Sequence, residues 1–206
     1  AGADILHLDV MDGHFVKNIS FGPQTVAAIN RATDMFLDVH LMIYNPMDYI
    51  ERFVEAGADR ITFHIEATED VEDIINYIKK CNIKVGLALC PETSATIALK
   101  YLDKIDLLLL MTVHPGFGGQ EFLPEVLDKI KFIRESTDRL NICEGGRVAL
   151  KGELPPFQIQ VDGGINFETG QQCIEAGAND LVAGTYLYKA EHMAKNIEAL
   201  RSGVNH

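Results

Sequence analysis

The sequence predicts an α/β fold with a parallel sheet, its seven strand–helix units reading as seven-eighths of a (β/α)8 barrel. Three observations carry this. Seven short apolar runs alternate with seven segments of helical spacing along 206 residues, the pattern of strands joined by helical crossovers. Several of the runs, 107–111 most clearly, are almost continuously apolar, as strands covered on both faces are. A tetrapeptide also recurs: Ala56-Gly57-Ala58-Asp59 and Ala176-Gly177-Ala178-Asn179 each close a helix and open a strand, and Ala1-Gly2-Ala3-Asp4 begins the chain. By that logic residue 1 is the tail of a helix, and a first strand and helix of roughly 25 residues are expected ahead of it. A seven-stranded open α/β sheet is the alternative. The whole of 1–206 is expected to be a single barrel domain.

The elements follow in order. The first strand, 5–9, ends in His7-Leu8-Asp9, two polar residues that share a face by the period of two. Helical spacing over 23–33 leads to a strand at 36–40, which ends in Asp38-Val39-His40 with the same phase. The next helix, 46–57, has Pro46 after Asn45 at its start, where a missing N–H costs little, and Gly57 at its end. Strand 60–65, helix 70–81, strand 83–89, helix 94–104 and strand 106–111 continue the alternation. A helix over 121–139 has Pro124 near its beginning. The stretch 141–157 then breaks the rhythm with three glycines and two adjacent prolines. As a helix-to-strand connection it is expected on the face opposite the catalytic loops, acting on stability or assembly. Strand 158–162, helix 166–177, strand 180–184 and helix 188–202 complete the pattern.

Composition narrows the function. Thirty acidic against eighteen basic residues leave a net charge of −12, a field that repels phosphate backbones, so no nucleic-acid partner is expected. An anionic ligand would have to be held by local dipoles. The four cysteines, Cys81, Cys90, Cys143 and Cys173, show no CxxC or zinc spacing and read as buried thiols of a reducing compartment. The sequence shows neither a span-length apolar run nor a signal pattern, so no membrane partner and a cytoplasmic location are expected.

Polar residues at the C-terminal ends of apolar strands mark the rim on which barrel active sites form. His7 and Asp9, Asp38 and His40, and Asp162 stand there. Two histidines and two of these carboxylates converging on one rim suit a divalent transition metal such as Zn, Fe(II), Mn or Co. His64 and Glu66 end a further strand and read as a structural or supporting pair. Gly116, Phe117, Gly118 and Gly119 follow the strand ending at Met111, Gly163 and Gly164 follow Asp162, and Gly184 and Thr185 follow the last strand. Small residues there let backbone N–H groups approach a phosphate, which needs no cationic surface. Met11, Met42 and Met111 follow or end strands and read either as core filling or as an apolar wall around the reacting carbon.

These motifs resemble the ribulose-phosphate 3-epimerase family. The resemblance is carried by His-Leu-Asp-Val-Met-Asp-Gly-His-Phe-Val over 7–16 with Asn18 and Phe21-Gly22-Pro23, by Asp-Val-His-Leu-Met over 38–42, by Met-Thr-Val-His-Pro-Gly-Phe-Gly-Gly-Gln over 111–120 and by Val-Asp-Gly-Gly-Ile over 161–165. It covers nearly the whole chain except 141–157. It implies a TIM barrel interconverting D-ribulose 5-phosphate and D-xylulose 5-phosphate. The implied metal ligands are His7, Asp9, His40 and Asp162, holding one divalent ion. Asp9 and Asp162 would be the acid/base pair. His40, Gly116, Phe117, Gly118, Gly119, Gly163, Gly164, Gly184 and Thr185 would hold the sugar phosphate. A homo-oligomer, dimer or hexamer, is the family expectation.

The chemistry agrees with such an arrangement. Inverting a carbon beside a ketone means removing a proton from one face and returning one to the other, which requires two opposed carboxyl groups, one ionised and one protonated. The intermediate is a cis-enediolate, whose negative charge a divalent ion offsets. The chain departs from the family in lacking a counterpart to the substrate-contacting serine of the first strand. It also has His114 where Asn is expected, Thr185 for the usual Ser, and the 141–157 insertion. An allulose 6-phosphate 3-epimerase is the rival within this chemistry, and a truncated, inactive relative is the rival outside it.

Overall fold

In the computed structural model, residues 1–150 and 152–204 are described. They carry seven strands, β1 (Ile5–Met11), β2 (Phe36–Met42), β3 (Arg60–His64), β4 (Lys84–Leu89), β5 (Leu107–Met111), β6 (Gln158–Asp162) and β7 (Asp180–Val182). The α-helices are α1 (Pro23–Ala32), α2 (Ile50–Glu55), α3 (Val71–Lys80), α4 (Val126–Leu140), α5 (Phe167–Ala176), α6 (Thr185–Tyr188) and α7 (Met193–Val204). The chain divides into two compact units, Asp4–Ala88 and Ala1–Ala3 with the chain from Leu89 onward.

In the first unit β1 to β4 lie side by side in sequence order, all parallel. Because side chains alternate, one face carries Leu37, Val39 and Leu41 of β2, Ile61 and Phe63 of β3, and Val85 and Leu87 of β4, all fully buried. Val26 of α1, Ile50 and Phe53 of α2, and Ile74, Ile75 and Ile78 of α3 supply the helical share of that core. The other face is built in rows by the register. His7, Asp38, Arg60 and Lys84 form one row; Asp9, His40, Thr62 and Gly86 the next; and Met42 pairs with Met11 above them. Gly86 is required for close approach, since a Cβ there would meet the Thr62 hydroxyl at 2.2 Å.

In the second unit β5, β6 and β7 form a parallel ladder, again in sequence order. Leu107, Leu108, Leu109, Leu110, Ile159 and Val161 are buried. Asn166 and Thr169 form a reciprocal cap at the start of α5. The recurring tetrapeptide proves to be one structural device used in both units. The Asp59 carboxylate accepts the Leu37 N–H at 2.7 Å, and the Asn179 side-chain amide oxygen Oδ1 accepts the Ile159 N–H at 2.8 Å. Each thereby ties a helix exit to the start of the preceding strand. Gly57 and Gly177, at φ 95° and 116°, make the left-handed turn before it.

Several predicted boundaries shift. β1 and β2 run two residues further than expected, to Met11 and Met42. The segment expected as a helix over 94–104 is a 3-10 helix, Ala95–Lys104, capped by Ser94. The helix expected at 46–57 splits into a 3-10 turn, Pro46–Asp48, and α2, after Asn45 enters the left-handed region. The helix expected from 121 starts at Val126, because the Leu123 N–H is bonded to the Thr112 carbonyl and the chain must first turn at Pro124. The last helix is two, α6 and α7. Cys143 and Cys173 are buried, but Cys81 and Cys90 are only half-buried, which corrects the expectation of four buried thiols; all four are free. In 141–157, of which Lys151 lies outside the described residues, Ile142 bridges Val148 and Cys143 bridges Pro156. Gly146 packs so tightly on Asp103 and Ile105 that a Cβ would meet the Ile105 carbonyl at 2.8 Å. The insertion therefore lies at the N-terminal end of β5, away from the loops that follow the strands.

Candidate active site

The first unit concentrates its polar side chains on one face of the ladder. Asp38 is fully buried, and its carboxylate accepts from four donors: Arg60 Nε at 2.9 Å and Thr62 Oγ1 at 3.3 Å on Oδ1, Arg60 NH2 at 2.7 Å and His7 Nδ1 at 2.8 Å on Oδ2. Burial alone would raise its pKa, but Arg60 and His7 outweigh it and hold the carboxyl well below the usual range. For His7 burial opposes the charge, and the carboxylates of Asp38 and Asp9 overcome it, so that in the metal-free chain its pKa stands well above 6.5.

The second nitrogen of His7 faces the site. His7 Nε2 is 3.3 Å from Asp9 Oδ1 and 3.4 Å from His40 Nδ1, and His40 Nδ1 is 2.9 Å from Asp9 Oδ1. Burial again opposes ionisation of Asp9, but hydrogen bonds and charge from His40 and His7 drive its pKa far down, so it stands as a carboxylate. These three atoms fit an ion. Bonds of about 2.0–2.1 Å place tetrahedral donors about 3.3 Å apart and octahedral neighbours about 3.0 Å apart. Two imidazole nitrogens and a carboxylate oxygen are the donor types such ions take. His7, Asp9 and His40 are therefore candidate metal ligands by geometry as well as by residue type.

Behind His40 stands His64. Its Nε2 is 2.9 Å from His40 Nε2, and its Nδ1 is 3.2 Å from Glu66 Oε2. Burial lowers its pKa to about 4, so the ring is neutral. Phe15, from the loop after β1, lies 4.8 Å from His64 between ring centroids. That loop is pinned by Asp12, whose Oδ1 accepts the His14 and Phe15 N–H groups at 2.7 and 2.9 Å and whose Oδ2 accepts the Tyr44 N–H at 2.8 Å. Ser20 donates to the Asp9 carbonyl at 2.6 Å and accepts the Met11 N–H. Met42 is buried beside Met11, which is half-buried.

In the second unit Asp162 ends β6, in register with Met111 of β5 and Val182 of β7. The turn after it is locked: Thr112 Oγ1 donates to the Gly163 carbonyl at 2.6 Å, and the Thr112 N–H to the Asp162 carbonyl at 2.8 Å. Gly163 and Gly164 have φ of 123° and 65°, and a Cβ on Gly163 would meet Val113 at 2.4 Å. The Gln120 amide donates to the His114 and Phe117 carbonyls at 2.6 and 2.8 Å, drawing the glycine-rich loop closed. Gly118 and Gly119 approach the Thr185 hydroxyl, so three of the predicted phosphate-binding residues share one place. His114, the departure from the family pattern, pairs with Glu92 at 2.7 Å on the surface. No strand described here ends in lysine; Lys129 instead donates to the carbonyls of Cys90, Pro91 and Thr93.

Sequence reasoning did not single out Arg60, Asp12, Phe15 or Thr112. Arg60 carried a signal, being a charged residue in phase with Thr62 and His64 at the mouth of an apolar strand. Asp12 and Phe15 stood within the 7–16 motif that carries the resemblance, but nothing in that motif assigned them a role.

Comparison with known proteins bears on this geometry. The sequence model of the ribulose-phosphate 3 epimerase family matches residues 1–188. The ribulose-phosphate 3-epimerase of Chlamydia trachomatis serovar D is 47% identical over 191 residues, covering 93% of this chain and 77% of that protein. That of Bacillus subtilis strain 168 is 46% identical over 200 residues, covering 97% of this chain and 87% of that protein. Among solved structures, 3-hexulose-6-phosphate synthase from Salmonella typhimurium superposes with a TM-score of 0.65 at 13% identity, covering 97% and 98% of the two chains. That likeness is one of fold, the TIM barrel.

Proposed function

The chain belongs to the ribulose-phosphate 3-epimerase family and is an isomerase, and on that premise we propose that it interconverts D-ribulose 5-phosphate and D-xylulose 5-phosphate. In this reading the two units act as a single barrel domain. His7, Asp9, His40 and Asp162 would hold one divalent ion, and Asp9 and Asp162 are the acid/base pair. The observation that carries the reading is the spacing of His7 Nε2, Asp9 Oδ1 and His40 Nδ1, at 2.9 to 3.4 Å from one another.

Held by these residues, a divalent ion would supply positive charge to offset the enediolate formed when C3 loses its proton. The aspartates do the proton transfer. The ionised carboxyl removes the C3 proton from one face, and the protonated carboxyl delivers its proton to the other. The two exchange roles in the reverse direction, as microscopic reversibility requires. Supporting Asp9 in this role is the pair of imidazoles that keeps it ionised in the absence of substrate. Asp162 stands at a strand end, the position from which barrel enzymes draw catalytic residues.

Gly116, Phe117, Gly118, Gly119, Gly163, Gly164, Gly184 and Thr185 hold the substrate phosphate, chiefly through backbone N–H groups and the Thr185 hydroxyl, which suits a chain of net charge −12. Met11, Met42 and Met111 form the apolar wall that keeps water from the reacting carbon. His40 would serve both as an ion ligand and as a contact to the sugar.

The test is incubation of the metal-loaded chain with D-ribulose 5-phosphate in D2O, followed by NMR. Appearance of D-xylulose 5-phosphate with deuterium at C3 is expected. No turnover with Zn, Fe(II), Mn or Co would overturn the reading, and preferential turnover of allulose 6-phosphate would reassign the substrate.

A further inference from the structure

We infer that His64 and Glu66 are a positioning pair that holds His40 in the tautomer able to bind the ion. The inference deepens the proposal above and rests on His40 being a ligand. The argument is one of hydrogen-bond donors and acceptors. A neutral imidazole has one N–H and one lone pair, and a metal takes the lone pair. The nitrogen of His40 that faces Asp9 and His7 is Nδ1. With the ion on Nδ1, the proton of His40 must sit on Nε2.

What lies at Nε2 is another ring nitrogen, His64 Nε2 at 2.9 Å. Two N–H groups cannot face each other at that distance, so His64 must present its lone pair there. That choice sends the His64 proton to Nδ1, where Glu66 Oε2 at 3.2 Å accepts it. The carboxylate thus sets one ring, and that ring sets the next. His40 and His64 are completely buried, so water does not substitute for the missing acceptor. The two ring centroids are 5.0 Å apart with their planes 30° apart, as an N–H···N bond between nearly end-to-end rings requires, and Phe15 packs against the outer one.

The geometry parallels that at the other ligand. His7 donates from Nδ1 to Asp38, freeing Nε2 for the ion. The difference is that His40 reaches its carboxylate only through a second imidazole. Groups behind ligating histidines typically govern 10–100-fold in metal affinity.

The test uses the whole chain and Co(II) as the probe, with affinity measured by competition against a chromophoric chelator. Circular dichroism establishes that each variant is folded. His64→Leu removes the acceptor and is expected to weaken Co(II) binding at least about tenfold. His64→Gln puts an amide oxygen near the lost Nε2 and is expected to restore most of that affinity. In the Zn(II)-loaded wild type, imidazole 15N shifts are expected to place the His40 proton on Nε2. A His40 proton on Nδ1 removes His40 from the ligand set and the inference with it, whereas a folded His64→Leu that binds Co(II) as the wild type does overturns the inference while leaving the ligand set standing. So does a His64→Gln no better than His64→Leu. A wild-type chain that takes up no Co(II), or a His40→Ala that takes up as much, overturns the ligand set and the inference together.

Discussion

Asp38→Asn isolates the charge on which the polar face of the first unit depends. The substitution keeps the shape of the side chain and removes one unit of negative charge. In the native arrangement both carboxylate oxygens accept, Oδ1 from Arg60 Nε and Thr62, Oδ2 from Arg60 NH2 and His7. An amide has only one accepting end, so its NH2 must face either Arg60 Nε or the Arg60 NH2 and His7 pair, donor against donor. Arg60, 1% exposed, loses the charged acceptor of both its Nε and its NH2. Stranding one partner of a buried pair costs about 3–5 kcal/mol. For a chain of this size that corresponds to a fall in Tm of roughly 6 to 20 °C. The measurement is thermal and urea unfolding of the metal-free protein, wild type against variant.

pH supplies an independent check on the sign. Asp38 has a folded pKa well below 3.8, so its stabilisation is fully present above the unfolded value and is lost as pH falls through the folded one. The gap between wild type and Asp38→Asn should therefore be largest near neutrality and narrow in acid. The double change Asp38→Leu with Arg60→Met should recover much of the loss, since an apolar pair strands no charge. A loss below about 1 kcal/mol, comparable to an exposed pair, or a gap that widens in acid would refute the account.

The other expectations are briefer. Asp162→Asn should lower turnover at least about a hundredfold, the scale of a lost acid/base group, with an unchanged melting curve; residual activity near wild type would remove Asp162 from proton transfer. His40→Ala should reduce metal content, read by elemental analysis, from about one ion per chain to a small fraction of that; unchanged content would exclude His40 as a ligand. Asp12→Ala removes the acceptor of three N–H groups and should free the loop carrying Phe15, seen as faster amide exchange at residues 14, 15 and 44, and protection equal to wild type would show that the loop is held otherwise. Burial pushes the Cys173 thiol up to about 12, so near pH 8 a thiol reagent should modify half-buried Cys81 and Cys90 first and Cys173 only on unfolding. Modification of Cys173 in the native protein at the rate of Cys81 would contradict that burial.

Much of the candidate site was legible because its residues announce themselves against an apolar background. His7, Asp9, His40 and Asp162 each stand in or at the end of a strand rich in Leu, Val and Ile, and period two puts His7 beside Asp9 on one face without knowledge of any neighbour. The turns at Gly163, Gly164 and Gly119 were legible for a related reason, as positions where positive φ or close approach excludes a Cβ. The helix boundaries were less so. Whether 94–104 winds as α or 3-10 depends on how its ends are tied, and the start of α4 depends on a hydrogen bond from Leu123 to Thr112, eleven residues back.

By itself the chain sequence determined the alternation of strand and helix, the face on which each polar residue lies, and the glycine turns at Gly57 and Gly177 that close α2 and α5. These are properties of local period and backbone conformation, set over a few residues. Only the tertiary structure decided that Arg60 would neutralise Asp38, that Asp38 would orient His7, and that His64 would stand between His40 and Glu66. The contacts of Asp38 with His7 and Arg60, and of His64 with His40, join different strands, and their register is set by packing the whole apolar face at once, so no stretch of sequence contains them.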